Sequence, residues 1–201
     1  PAAKKALVLF KKMEAIQNGI EEVLKSNPLI PVATIERLEQ VDEFYQQLKS
    51  QGVFCIEITL RTEIAWEAIA LFKKKYSSEF KVGVGTVVSA NDVFACMEHK
   101  VDFIVCPGLT NSLVQPLESS NIPFIPGVCT PSEIMRGLNL GWNFFKFFPA
   151  DLYGGVKALK TYGGVFSKAK FCPTGGIGAE NHKSFLELEN VLSVGGSWLT
   201  K

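Results

Sequence analysis

Histidine, net charge and long apolar runs are all scarce in this chain. There are two histidines, His99 and His182, and neither stands at the end of an apolar run. No cluster of His, Asp or Glu has metal-ligand spacing, so neither a metal nor another cofactor is expected. Lys+Arg number 21 against Asp+Glu 20, a formal net charge of +1. Such a balance offers no global field to nucleic acid or to an anionic membrane, and neither partner is expected. The one dense basic run, Lys73-Lys74-Lys75, follows an apolar helical pattern and reads as a solvated helix end. No window reaches the ~18 apolar residues that a bilayer span needs. The five cysteines are odd in number and none has Cys-x-x-Cys spacing. Free buried thiols in a reducing cytoplasm are expected, rather than disulfides. The N-terminal stretch has lysines before a short apolar run and no small-residue cleavage site, which suits an amphipathic helix better than a leader peptide.

What is present is a strand-helix alternation. The 201 residues are 47% hydrophobic and 20% charged, enough for one well-buried core and short for two. A single domain over 1–201 is expected, with a helical segment at 1–28. Short β-branched or aromatic runs recur at Leu29–Thr34, Phe54–Leu60, Lys81–Thr86, Phe103–Pro107, Pro123–Val128, Asn143–Pro149, Lys170–Thr174 and Val191–Gly196. Segments with helical spacing lie between them, among them Arg61–Tyr76, Asn91–His99 and Pro131–Leu140. Thr62-Glu63, Ser89 to Asp92 and Thr130 to Glu133 supply helix-start chemistry. The strands are nearly continuous apolar runs, as in a parallel sheet covered on both faces. Eight such units at a period of roughly 20–25 residues predict an α/β fold of the small (β/α)8 TIM-barrel type.

A barrel places chemistry at the C-terminal ends of its strands. Lys146 is anomalous there: it stands in Phe144-Phe145-Lys146-Phe147-Phe148-Pro149, and an ammonium is costly to bury. Low dielectric disfavours an ammonium relative to a neutral amine, and a neutral amine is a nucleophile toward ketones. Schiff-base chemistry follows; a lysine paired with a carboxylate, or snorkelling out of the barrel, is the plain alternative. Alternation in Cys55 to Arg61 puts Glu57, Thr59 and Arg61 on one face. Glu57 needs a partner, and Lys146 and Arg61 are available. Beside an imine it can relay protons; as a structural Glu–Arg pair it would do nothing chemical. The loops Pro173 to Gly178 and Gly195-Gly196-Ser197 follow the seventh and eighth runs, where barrels often hold phosphate on backbone N–H groups. Gly83-Val84-Gly85 is no dinucleotide fingerprint, because the third glycine is missing.

Six motifs, in order, resemble those of the bacterial KDPG/KHG aldolases: Glu57 to Thr62, Gly83 to Thr86, Pro107 to Thr110, Lys146 to Ala150, Pro173 to Gly176 and Gly195 to Trp198. The resemblance runs from about Met13 to Lys201. It implies a class I, metal-free aldolase, usually trimeric, acting on small-molecule keto acids. The implied reactions are cleavage of 2-keto-3-deoxy-6-phosphogluconate to pyruvate and glyceraldehyde 3-phosphate, and of 4-hydroxy-2-oxoglutarate to pyruvate and glyoxylate. By resemblance Lys146 is the Schiff-base lysine and Glu57 the general acid/base. Arg61, Thr86, Pro107 and Phe148 shape the pyruvate pocket with Thr174 nearby, and Gly175, Gly176 and Ser197 hold phosphate, Gly195 and Gly196 completing that loop. Some members carry an arginine where this chain has Ile35; Arg37 stands two positions on. Members also continue into a final helix after the Gly-Gly-Ser-Trp motif. Ala2–Lys12 is expected either to be that helix, with the ends rearranged or ordered pieces joined, or to be a plain N-terminal extension.

Two competing readings stay open at this level. An aldolase for the galactonate epimer differs by one hydroxyl configuration, which a few contacts decide. A non-catalytic barrel subunit would have no use for both Lys146 and Glu57. Metal-dependent phosphate-binding barrels need His and Asp at strand ends, which are missing here.

Overall fold

The computed structural model describes residues 2–201, with side chains described at 7, 8 and 10–201. Helix α1 (Ala2–Ser26) leads into an alternating series: β1 (Leu29–Ala33), α2 (Gln40–Ser50), β2 (Cys55–Thr59), α3 (Ala65–Tyr76), β3 (Lys81–Gly85), α4 (Ala90–Glu98), β4 (Phe103–Val105) and α5 (Asn111–Ser120). It continues with β5 (Phe124–Ile125), β6 (Gly127–Val128), α6 (Pro131–Asn139), β7 (Phe144–Phe147), α7 (Gly155–Val165), β8 (Lys170–Pro173), α8 (His182–Leu186) and β9 (Val194–Gly196). The result is an α/β fold whose strand pairs are all parallel, in the orders β5-β4-β3-β2-β1-β9 and β6-β7-β8. Two isolated parallel bridges, Phe171 to Val191 and Thr174 to Gly195, link β8 to the β9 region.

One expected strand is split. The run Pro123–Val128 becomes β5, paired with β4, and β6, paired with β7. Pro126 separates them; it has no N–H to give to a ladder, while its carbonyl accepts from Lys146 N at 2.9 Å. The capping boxes at Ser89/Asp92 and Thr130/Glu133 form as read. Thr62 does not cap α3. Its hydroxyl instead donates to Ile35 O at 2.7 Å, and the helix starts at Ala65. The Lys73–Lys75 run ends α3, but it is not simply solvated: Lys73 is half-buried against Asp102 at 2.9 Å, and Lys75 pairs with Asp42 at 2.7 Å. Asp102 also accepts from Val82 N, so this pair ties the end of α3 to the start of β3.

Strand alternation sorts the apolar residues into two cores. The outward faces carry Ile56, Ile58, Val82 and Val84, which pack with Ala68, Ile69 and Phe72 of α3. The inward faces bring together Ile30, Cys55, Phe103, Val105, Ile125, Phe144 and Cys172. Ile20, Val23 and Leu24 of α1 complete that inner core. Gly19 lies against Pro123, at the start of β5. Gln17 accepts from Asn143 N, just before β7. Helix α1 therefore seals the N-terminal end of the inner core, each of its three apolar anchors contributing about 1.5–3 kcal/mol by burial.

The expectation that Ala2–Lys12 supplies a helix beside the first and last strands is not met. Side chains 1–6 and Leu9 lie outside the described residues. The segment is the opening of continuous helix α1, which packs against β5 and β7, and Lys12 Nζ reaches Ser119 O of α5 at 3.4 Å. The cysteines are free; four are buried and Cys129 is half-buried. No helix among the described residues is long and apolar enough to cross a membrane.

Candidate active site

Parity and register bring two opposite charges together. Glu57 is the third residue of β2 and pairs in register with Gly83; Lys146 is the third residue of β7 and sits in register with Gly127 on one side and Cys172 on the other. Both side chains point inward above the apolar floor of Phe144, Cys55 and Cys172. Lys146 Nζ stands 3.5 Å from Glu57 Oε1, and each residue is only 3% exposed. Nζ also lies 5.0 Å from the centre of the Phe148 ring, whose π face favours a cation. Burial pushes the Cys172 thiol up to about 11 and the Cys106 thiol to about 12, and raises Cys55 as well. These thiols stay protonated at neutral pH and add no charge to the pair.

The other expected residues frame this pair. Pro107 lies two residues past β4, and its carbonyl presses on Gly127, where a Cβ would overlap it. Arg61 Nε donates to Thr86 Oγ1 at 3.2 Å. Thr86 holds a left-handed φ of 62°, unusual for a β-branched residue and worth noting at a strand end. Thr174 is buried against Gly195, which must lack a side chain because a Cβ would meet Thr174 Oγ1. Gly175 and Gly176 have φ of 97° and 71°, the region glycine favours. Trp198 covers Gly196. Ser197 and Arg61 are exposed and share a cavity of about 450 Å³ with Val32, Thr34, Gln40 and Thr200.

Some residues are not brought in. Arg37 does not turn to the site: it is exposed and pairs with Glu43 at 3.2 Å and Glu39 at 3.9 Å. His99 stacks on Trp66, and His182 donates through Nδ1 to Gly178 O at 3.0 Å while stacking on Trp198. Two features escaped sequence reasoning. Thr59 donates to Ala33 O at 3.1 Å, and Thr34 bonds its hydroxyl at 2.9 Å, so a hydroxyl pair lines the wall beneath the cavity. Thr34 shares parity with Ile30 and Val32, which was the available signal. Asp151 also lies directly over Gly176 in the loop after β8, and only tertiary contact reveals it.

A buried amine beside a buried carboxylate suits imine formation with proton relay. A family model for KDPG and KHG aldolase matches residues 20–201. The chain belongs to the KDPG and KHG aldolase family. The KHG/KDPG aldolase of Escherichia coli K12 is 41% identical over 187 residues, covering 93% of this chain and 87% of that protein. The 2-dehydro-3-deoxy-phosphogluconate aldolase of Dickeya dadantii is 42% identical over the same shares. Among solved structures, KDPG aldolase from Legionella pneumophila, with pyruvate captured at low pH as a covalent carbinolamine intermediate, superposes with a TM-score of 0.86. It is 41% identical, with 89% of this chain and 86% of that chain covered. In this member of the KDPG and KHG aldolase family, two of the six motifs supply the Lys146–Glu57 pair and a third sets Gly85 against Glu57.

Proposed function

We propose that the chain is a class I aldolase that cleaves 2-keto-3-deoxy-6-phosphogluconate to pyruvate and glyceraldehyde 3-phosphate, and 4-hydroxy-2-oxoglutarate to pyruvate and glyoxylate. One observation carries this reading: a buried lysine amine 3.5 Å from a buried carboxylate, on two strands of the sheet, in a chain of this family. The two sheets close into one (β/α)8 barrel, a single domain over 1–201. The Phe171 to Val191 and Thr174 to Gly195 bridges support closure at one seam, and the β5–Pro126–β6 run supports it at the other. The assembly is a homotrimer, which sedimentation reads directly.

The chemistry follows from the geometry. Glu57 accepts a proton from Lys146, freeing the amine to add to C2 of the keto acid. Loss of water from the carbinolamine, protonated on oxygen through Glu57, leaves an iminium. The C4 hydroxyl then gives its proton to the Glu57 carboxylate, the C3–C4 bond breaks, and its electron pair flows into the iminium to form an enamine. C4 departs as the aldehyde. Glu57 returns the proton to C3, and water hydrolyses the imine, releasing pyruvate and Lys146. Arg61 and Thr86 hold the keto-acid carboxylate, Pro107, Phe148 and Thr174 wall the methyl end, and Gly175, Gly176, Gly195, Gly196 and Ser197 receive the phosphate.

Borohydride reduction in the presence of pyruvate, followed by peptide mass spectrometry, tests the reading. A reduced pyruvate adduct is expected on the Lys146 peptide; an unmodified peptide under saturating pyruvate would defeat the aldolase assignment. The galactonate epimer is not favoured, since the relatives above are named for the gluconate and hydroxyoxoglutarate substrates. Retention of both charges argues against a non-catalytic subunit. Ser197→Ala should raise KM about tenfold for phosphorylated substrate, the cost of one hydrogen bond to a charged group at about 1.5 kcal/mol. It should leave 4-hydroxy-2-oxoglutarate within about twofold, because that substrate has no phosphate. Parallel steady-state assays on the two substrates check this, and equal changes would remove Ser197 from the phosphate site.

A further inference from the structure

Gly83-Val84-Gly85 has no dinucleotide to bind, yet its spacing is used. Val82 and Val84 face outward into the helix-covered core, so Gly83 and Gly85 face inward. Each leaves a void that a neighbour fills. At Gly83 the space is taken by the Phe103 ring of β4, whose Cδ2 would stand 2.6 Å from an added Cβ. At Gly85 it is taken by the Glu57 carboxyl group. A Cβ there would overlap Oε1 and stand 2.7 Å from Cδ and 2.9 Å from Cγ. Neither glycine has a left-handed φ, so the backbone accepts any residue at both positions, and the demand for glycine is steric alone.

Register explains the geometry. Glu57 pairs with Gly83, and Thr59 pairs with Gly85. The Glu57 side chain therefore leans one pleat toward the C-terminal end of β3 and lies flat across Gly85. That lean sets its carboxylate 3.5 Å from Lys146 Nζ instead of upright in the centre of the inner core. We propose that Gly85 is a positioning residue for the proton-transferring carboxylate, the empty face of Gly85 holding Glu57 at the height where C3, the carbon next to the imine carbon on Lys146, exchanges its proton. This rests on the aldolase reading above.

The consequence is selective. A methyl group at residue 85 forces the carboxyl group off its seat. Imine formation also uses Glu57, but trapping at saturating pyruvate reads the imine at equilibrium, whereas each exchange event at C3 needs the carboxylate within reach of that carbon. Displacement of a catalytic group by about 1 Å can cost about 10²-fold. A shorter acid retracts from the methyl group, so Glu57→Asp should be harmful in the native chain and helpful in the Gly85→Ala chain.

The experiment uses the full chain, with pyruvate alone as probe and two readouts. Borohydride trapping on Lys146 reports the imine, and deuterium entry into the pyruvate methyl group, followed by NMR, reports proton transfer at C3. Gly85→Ala is expected to slow methyl exchange about 10²-fold while trapping at saturating pyruvate stays within about threefold of native. Glu57→Asp in that background should raise exchange about tenfold over Gly85→Ala alone, a reversal of sign that general loss of stability does not produce. The double variant also relieves the overlap, so it keeps the test open where Gly85→Ala folds poorly. Exchange unchanged in Gly85→Ala, equal loss of exchange and trapping, or a double variant that fails to fold or to exceed the single one would overturn the proposal. Failure of the native chain itself to trap pyruvate would instead overturn the aldolase reading beneath it.

Discussion

Lys146→Ala is expected to lower turnover of 2-keto-3-deoxy-6-phosphogluconate by at least about 10⁴-fold, the scale seen when a covalent nucleophile is deleted. No other lysine among the described residues is buried, so no second amine can form the imine in its place. The variant should also lose stability. Glu57 is 3% exposed, and removing Lys146 leaves its carboxylate buried and unpaired, at a cost of about 3–5 kcal/mol. Pyruvate release measured on protein shown folded by denaturant titration separates the two effects. Folded Lys146→Ala retaining a hundredth of native turnover, on the scale of the expected loss, would place the nucleophile elsewhere.

Glu57→Gln should slow turnover about 10²–10⁴-fold, the usual share of general acid/base catalysis. The amide nearly matches the carboxyl group in shape, so it still fits the space over Gly85, but it cannot take the C4 hydroxyl proton or return one to C3. Pyruvate affinity, read from the concentration dependence of borohydride trapping, should change far less. An equal loss in affinity and turnover would make Glu57 a structural partner of Lys146 and nothing more. This outcome differs from that of Gly85→Ala with Glu57→Asp, where the acid is kept and only its place is changed.

Both charged residues were legible before any fold was known. Lys146 breaks a run of phenylalanines, and Glu57 breaks an apolar strand; a charge in such a place is costly unless it has a partner or a task. Their distance was not legible, because 89 residues separate them and only sheet register converts parity into proximity. Arg37 shows the converse. Its position near the first strand end left open whether it reaches the site, and two nearby glutamates hold it outside. The helical segment at the N-terminus was visible from its pattern, but not that Ile20, Val23 and Leu24 would close the floor under Lys146. Amphipathic spacing marks a face as buried without saying what covers it.

By itself the amino-acid sequence determined the alternation of strands and helices, the family motifs, and the anomalous Lys146 and Glu57, all of which follow from local periodicity and from the cost of burying charge. Only the tertiary structure decided that Pro126 divides the fifth run, that α1 plugs the inner core, and that Gly85 gives up its side chain to Glu57. Those facts depend on contacts between strands distant in sequence. A glycine looks the same in a string of letters whether it turns a loop or leaves a void, and only the neighbour that fills the void tells which.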